Sequence, residues 1–183
     1  MRPFLVTAPT EPVCDLAWMR ARMRVDGTEE DAELQALEAA AVGYLDGWHG
    51  ILGRAIKQQT WAQKFNDWGD LPLAMPDVVS FAVTGTDADG QDVTPEVSEL
   101  VNDVRGPIIK AAGGPVDFVV VEYTVSLPIQ LLKTAEVLVW LLVRNWSPLS
   151  GSLDGTAVAQ HSKSVTSLID QLRWMGQPCI SGT

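Results

Sequence analysis

Over the first fifty residues, apolar positions recur at the period of an α-helix. Leu16, Met19 and Met23 stand at offsets 0, 3 and 7, which predicts a short helix with Asp15 placed to cap its first free amides. Leu34, Leu37, Ala41, Tyr44, Leu45 and Trp48 follow at offsets 0, 3, 7, 10, 11 and 14. Thr28, followed by Glu29, Glu30 and Asp31, supplies a hydroxyl cap and first-turn acids for this longer helix. Beyond Gly50 and Gly53 the period drops to two. Lys57, Gln59, Trp61, Gln63 and Phe65 alternate with Ile56, Gln58, Thr60, Ala62 and Lys64, as in a strand with one aromatic face. Prolines hold Leu71-Pro72-Leu73-Ala74-Met75-Pro76 extended. Val78 to Thr84 reads as a strand, Asp87-Ala88-Asp89-Gly90 as a turn, Gln91 to Thr94 as a short strand, and Val116 to Tyr123 as a valine-rich strand. Residues 95–114 carry no period that decides between helix and strand.

The last third returns to helical spacing. Ser126 is placed to cap, and Pro128 to open, a helix running to about Arg144 that is apolar on nearly every side and therefore central. Pro148 and Gly151 mark residues 145–155 as a linker. Beyond it Val158, Val165, Leu168, Ile169, Leu172 and Met175 form a stripe at offsets 0, 7, 10, 11, 14 and 17, closed by Gly176 and Pro178. The sum is an α+β fold. Its helical core comes from N- and C-terminal helices, with an antiparallel β insertion between about residues 56 and 123. Residues 1–150 make up that core, and residues 151–183 make up a linker and a C-terminal docking helix or arm.

Composition narrows what such a fold does. The 183 residues include 23 Asp and Glu against 13 Lys and Arg, a formal net charge of −10. A chain this acidic lacks the basic footprint of a nucleic-acid binder and is repelled by anionic lipid. From Asp26 to Gly53 there are seven acidic residues and no Lys or Arg, a solvated face or a surface from which DNA is excluded. Arg20, Arg22 and Arg24 fall in the last turns of the first helix, where they complement its dipole or form a basic contact patch. The apolar run Ile129 to Trp146 is broken by Gln130, Lys133, Thr134 and Glu136, too early for the roughly 20 residues a membrane span needs. Three prolines and no apolar run in Met1 to Pro12 give no secretory signal.

Candidate chemistry is sparse. Cys14 and Cys179 lie near opposite ends with no paired spacing, and His49 and His161 belong to no metal-binding group. Asp87, Asp89, Gly90 and Glu96 match positions 3, 5, 6 and 12 of a calcium loop. Gly85 offers no ligand at position 1, and a hairpin turn explains the same residues. Phosphate loop, dinucleotide fingerprint and nucleophile elbow are all missing, so no enzyme and no cofactor is expected. Seven tryptophans stand beside two tyrosines and four phenylalanines. One core of this size seldom takes in seven, so some are expected at a subunit interface, with Trp174 beside Met175 the best placed.

The order of these parts resembles the head-tail connector or adaptor proteins of long-tailed phages and of phage-derived gene transfer agents. The resemblance is carried by Glu11-Pro12-Val13 leading to Met23-Arg24-Val25-Asp26, by Glu29-Glu30-Asp31, by Ala39 through Trp48, and by Gly50 through Ala55. It continues through Gln59-Thr60-Trp61, Leu71-Pro72 with Pro76, Asp87 through Gly90, Leu127-Pro128-Ile129, and Val165 through Leu172. The segment between Pro95 and Gly114 lacks the family's aromatic strand, and Val125-Ser126 replaces its glycine-rich approach to the last helices.

The resemblance implies a structural protein of a virion or virus-like particle, made in the bacterial cytoplasm and seated at the head-tail junction. It would form a homo-oligomeric ring of about twelve copies between the portal protein and a stopper or tail-completion protein. DNA would pass through the channel without specific binding, and no membrane is involved. Ala157 to Met175, with the tail to Ile180, is expected to dock on the portal and to order only on assembly, through Val158, Val165, Leu168, Ile169, Leu172, Trp174, Met175 and Ile180. Alternatives are another head- or tail-completion (stopper) protein of the same particle, a calcium-dependent binding module resting on Asp87, Asp89 and Glu96, or a hydrolase using Cys14 or His161.

Overall fold

The computed structural model describes residues 2–147 and 155–174, the side chains of 155–162 excepted. Among them are four helices and two antiparallel sheets, an α+β fold with helices towards both ends and β structure in the middle. The chain divides into a helical unit, residues 10–56 with the helices after Leu127, and a β unit built mainly from residues 57–127.

In the helical unit, α1 (Leu16–Met23) starts where Asp15 accepts the amide of Trp18 at 2.9 Å, as its spacing predicts. It ends at Arg24, whose left-handed φ of 57° takes the chain out of the helix. The second helix, α2 (Asp31–Leu45), departs from expectation at both ends. Glu30, not Thr28, holds the N-cap position, because the Asp31 amide turns back onto the Thr28 carbonyl. Trp48 lies outside the helix, because Asp46 becomes extended and its carboxyl accepts the Ile56 amide at 2.6 Å. Residues 46–56 thus fold as a clipped loop. Leu34, Ala41 and Leu45 are fully buried on the predicted face.

α3 (Ile129–Trp146) follows Pro128, which holds the N-cap position. No side-chain cap bond is made there, and Ser126 lies two residues earlier, its amide donating to the Asp77 carbonyl. The helix buries Ala135, Leu138, Val139, Leu141, Leu142 and Val143, and runs two residues past Arg144. α4 (Gly155–Leu172) starts earlier than its apolar stripe.

The β unit holds a five-stranded sheet ordered β1-β2-β8-β4-β5 and a three-stranded sheet ordered β3-β7-β6. The strands are β1 (Phe4–Thr7), β2 (Gln59–Phe65), β3 (Gly69–Pro72), β4 (Val78–Thr86), β5 (Asp92–Val93), β6 (Val97–Asp103), β7 (Gly106–Ala112) and β8 (Phe118–Val125). The alternation read in residues 57–65 holds in part: Gln59, Trp61 and Gln63 are buried on one face of β2, but Ala62 on the other face is buried as well and Phe65 is half-buried. Val119, Val121, Tyr123 and Val125 alternate inward on β8. The undecided stretch 95–114 is the β6–β7 hairpin, turned where Gly106 takes a φ of 132°. β1 was not expected among the prolines of the N-terminus.

Two side chains fasten this unit internally. Gln63 donates to the Pro72 carbonyl at 3.1 Å and accepts the Ala74 amide at 3.2 Å, pinning the proline-held segment to β2. Trp68 donates to the Gly114 carbonyl at 2.7 Å. Its ring lies so close to Gly85 that a methyl group there would come within 2.6 Å of it, so only glycine fits.

Tyr123 is 1% exposed, and burial pushes its phenol above the ordinary tyrosine range. The fold therefore favours the protonated phenol, and its contribution is complete below the unfolded value of about 10 and falls as pH rises beyond it. Urea midpoints measured from pH 8 to 11 should drop less steeply at the alkaline end for Tyr123→Phe than for the parent. Parallel curves would show that Tyr123 ionises alike in both states.

Candidate contact surfaces

The sequence places its contact residues on α4 and the tail. Val165, Leu168 and Ile169 are half-buried, while Leu172 is fully buried. The Leu172 carbonyl accepts a hydrogen bond from Arg54 Nη1 at 3.0 Å. A guanidinium thus closes the carbonyl end of α4, where cations oppose the helix dipole. Arg54 is only 8% exposed. Among the described residues α4 packs on α3 within one chain. Trp174 is half-buried in the β unit, its ring 3.3 Å from where a side chain on Gly106 would start. The side chain of Val158, and Met175 and Ile180 altogether, lie outside the described residues.

The arginines of α1 have partners inside the helical unit. Arg22 stacks 4.5 Å from the ring centre of Trp18 and 5.3 Å from that of Trp140, which also has Arg144 at 5.6 Å. Trp18 and Trp140 meet edge to face at 6.5 Å. Arg20 pairs with Asp31 at 3.2 Å. These contacts, each of the order of 1 kcal/mol, join α1 to its neighbours and occupy two of the three arginines.

Apolar groups do reach the surface. Trp61 is buried, five tryptophans are half-buried, and Trp146 is 43% exposed beside Tyr44, which is 48% exposed. Val104 at the tip of the β6–β7 hairpin is 95% exposed, and Phe4, Leu5 and Val6 of β1 are 56%, 45% and 47% exposed.

The other sequence candidates are not assembled into sites. Asp87 Oδ1 accepts the amides of Asp89 at 3.0 Å and Gln91 at 2.8 Å, as in a hairpin turn. Among the described residues no group of three His, Cys, Asp or Glu could hold a metal ion. Cys14 is 2% exposed, and its thiol donates to the Glu136 carbonyl at 3.4 Å, which fits packing rather than attack on a substrate. His49 is exposed and lies against Trp48. Among the described residues no helix is long and apolar enough to cross a membrane.

Two polar residues that hold these elements in place are not members of the apolar stripes. Glu38 sits on the buried face of α2, where its Oε1 accepts the amides of Val13 at 2.8 Å and Cys14 at 3.3 Å. A charged residue in phase with Leu34, Ala41 and Leu45 was the available signal. Arg54 carried one too, as the first basic residue after a long acidic stretch.

Comparison with known proteins bears on the whole chain. No family model matches it, and no curated protein does. Solved structures do. One similar chain comes from "Neck of empty GTA particle computed with C6 symmetry", at a TM-score of 0.61 and 22% identity, covering 97% of this chain and 100% of that one. Another comes from "Virion of native gene transfer agent (GTA) particle", at a TM-score of 0.60 and 22% identity, covering 100% of this chain and 99% of that one. The fold is shared end to end. At this identity the likeness establishes the fold alone.

Proposed function

We propose that this chain is a structural adaptor at the head-tail junction of a phage or gene transfer agent particle. Subunits form a ring of about twelve copies between the portal and the tail-side stopper, as closed cyclic symmetry allows, and DNA passes through its channel unbound. The observation that carries this reading is the whole-length likeness to a chain from a gene transfer agent neck. The net charge of −10 supports it, since a ring of acidic subunits repels phosphates and lets a duplex slide. The half-buried tryptophans and the bare apolar strand β1 support it too, as surfaces that assembly would cover. No reaction is assigned.

Within this reading the arm, residues 157–175 with the tail to 180, meets the portal. Leu172 anchors α4 in its own subunit, while Val165, Leu168, Ile169 and Trp174 keep surface for a partner. Two truncations test it against portal rings of the same particle in a pull-down. Deleting residues 157–183 removes the whole arm, and ending the chain after Trp174 removes the tail but keeps α4 packed. Both are expected to lose the portal, the second while retaining the parent's circular dichroism. Retention of the portal by both would show the arm assignment to be wrong.

A further inference from the structure

Among the described residues the five-stranded sheet has two open edges. β1 lies at one end of the order, where its described strand partner is β2. At the other end β5 covers just Gly85 and Thr86 of β4, so among the described residues Val78 to Thr84 has no strand on its outer side. Exposed edges normally carry charged residues or prolines that prevent pairing with another chain. Neither is present in Phe4-Leu5-Val6-Thr7 or in Val78-Val79-Ser80-Phe81-Ala82-Val83-Thr84, in a protein of which 20% of residues are charged.

The two edges also match in level. Following the register across the sheet, Phe4 lies in a row with Ala62, Glu122 and Ala82, and Leu5 in a row with Trp61, Tyr123 and Phe81. Thr7 shares a row with Thr60, Thr124 and Ser80. Each edge strand carries a bulge, at Val6 and at Val79, within one row of each other. The Leu5 row is the apolar one. Trp61 and Tyr123 in its middle are buried, while Leu5 is 45% exposed and Phe81 is only half-buried. Its ends are where a neighbour's side chain is missing.

Strand direction completes the match. From β1 through β2 and β8 to β4 every pairing is antiparallel, so β1 and β4 run in opposite senses. Rotating a copy about an axis roughly along the strands keeps its β1 direction. Its β1 then meets the first copy's β4 antiparallel and at the same height. The contact joins two different patches, the heterologous kind that closes rings. Resting on the ring reading above, we propose that adjacent subunits join edge to edge, β1 of one copy adding to the free edge of β4 of the next, by strand addition.

Paired cysteines test this in the full-length chain with Cys179→Ser. Phe4 and Ala82 are exposed and share a row, and directly opposed strand residues have the Cα separation a disulfide needs. Mixing the F4C and A82C proteins under mild oxidation should give a disulfide dimer that neither forms alone, and the F4C/A82C double variant should give a ladder. Adding Ala82→Lys to F4C should leave circular dichroism unchanged and abolish ring formation. Self-dimers of F4C, or no crosslink at all, would overturn the edge pairing. Native mass spectrometry with portal rings separates the two levels. A closed oligomer without the crosslink leaves the ring reading standing and sinks the edge contact, whereas no oligomer in any arm sinks both.

Discussion

Replacing Glu38 by leucine is expected to destabilise the helical unit by about 2–4 kcal/mol, because two buried amides lose their acceptor together. Glu38 is 8% exposed, and Val13 and Cys14, whose amides it accepts, are 6% and 2% exposed. Water therefore does not reach the freed N–H groups, and each carries its full desolvation penalty, about 1–3 kcal/mol. Leucine offsets part of this by removing a buried polar group and adding apolar contact. The offset is partial, because Val13 and Cys14 must stay where they are. Asp15 caps α1 immediately after them, and the Cys14 thiol is tied to α3 through Glu136. Glu38→Gln keeps an oxygen acceptor in the same place and should cost less than about 1 kcal/mol. Urea unfolding of the three proteins checks this, with a similar m-value expected throughout. If both variants lost equal stability, the carboxyl charge rather than the amide pairing would be what matters.

Glu38 also shows where the sequence is legible and where it is not. Helical and strand periods located α1, α2, α3, α4, β2, β4 and β8, because burial on one face writes itself into hydrophobic spacing. The ends were less legible. Thr28 and Ser126 look like caps, yet the chain is turned elsewhere by contacts their neighbours do not encode: the Asp31 amide returns to Thr28, and the Ser126 amide reaches Asp77. Trp48 keeps helical phase with Leu45 but is carried off by the Asp46 clip to Ile56. β1 was hidden because an edge strand exposed on both faces has no alternation to read. The same exposure that hid it makes it available to a second copy. Of the contact surfaces, α4 was readable as a stripe. Arg54, which holds its end, was marked only as the first basic residue after an acidic stretch, since a bond spanning 118 residues leaves no local pattern that names its partner.

That long-range bond yields the second large effect. Arg54→Met is expected to loosen α4 by about 1.5–3 kcal/mol, the range for a hydrogen bond to a charged group. The carbonyls at a helix's last turn have no partners within the helix. Arg54 Nη1 meets the one on Leu172 at 3.0 Å, with the guanidinium almost shielded from solvent. A shielded cation on a carbonyl end also gains from the dipole, and methionine keeps the stem's packing while deleting that charge. Because the bond lies at the terminus, the loss is local opening of α4 rather than global unfolding. Hydrogen exchange should therefore report it first, as roughly 10- to 100-fold faster exchange in α4, with α2 and α3 little changed. Arg54→Lys retains the charge but not the planar fork and should fall between. If α4 carries the portal contact, Arg54→Met must also weaken portal retention in the pull-down, because the arm's surface would be held in place only part of the time. Faster exchange with undiminished retention would mean that the portal grips the tail beyond α4 instead.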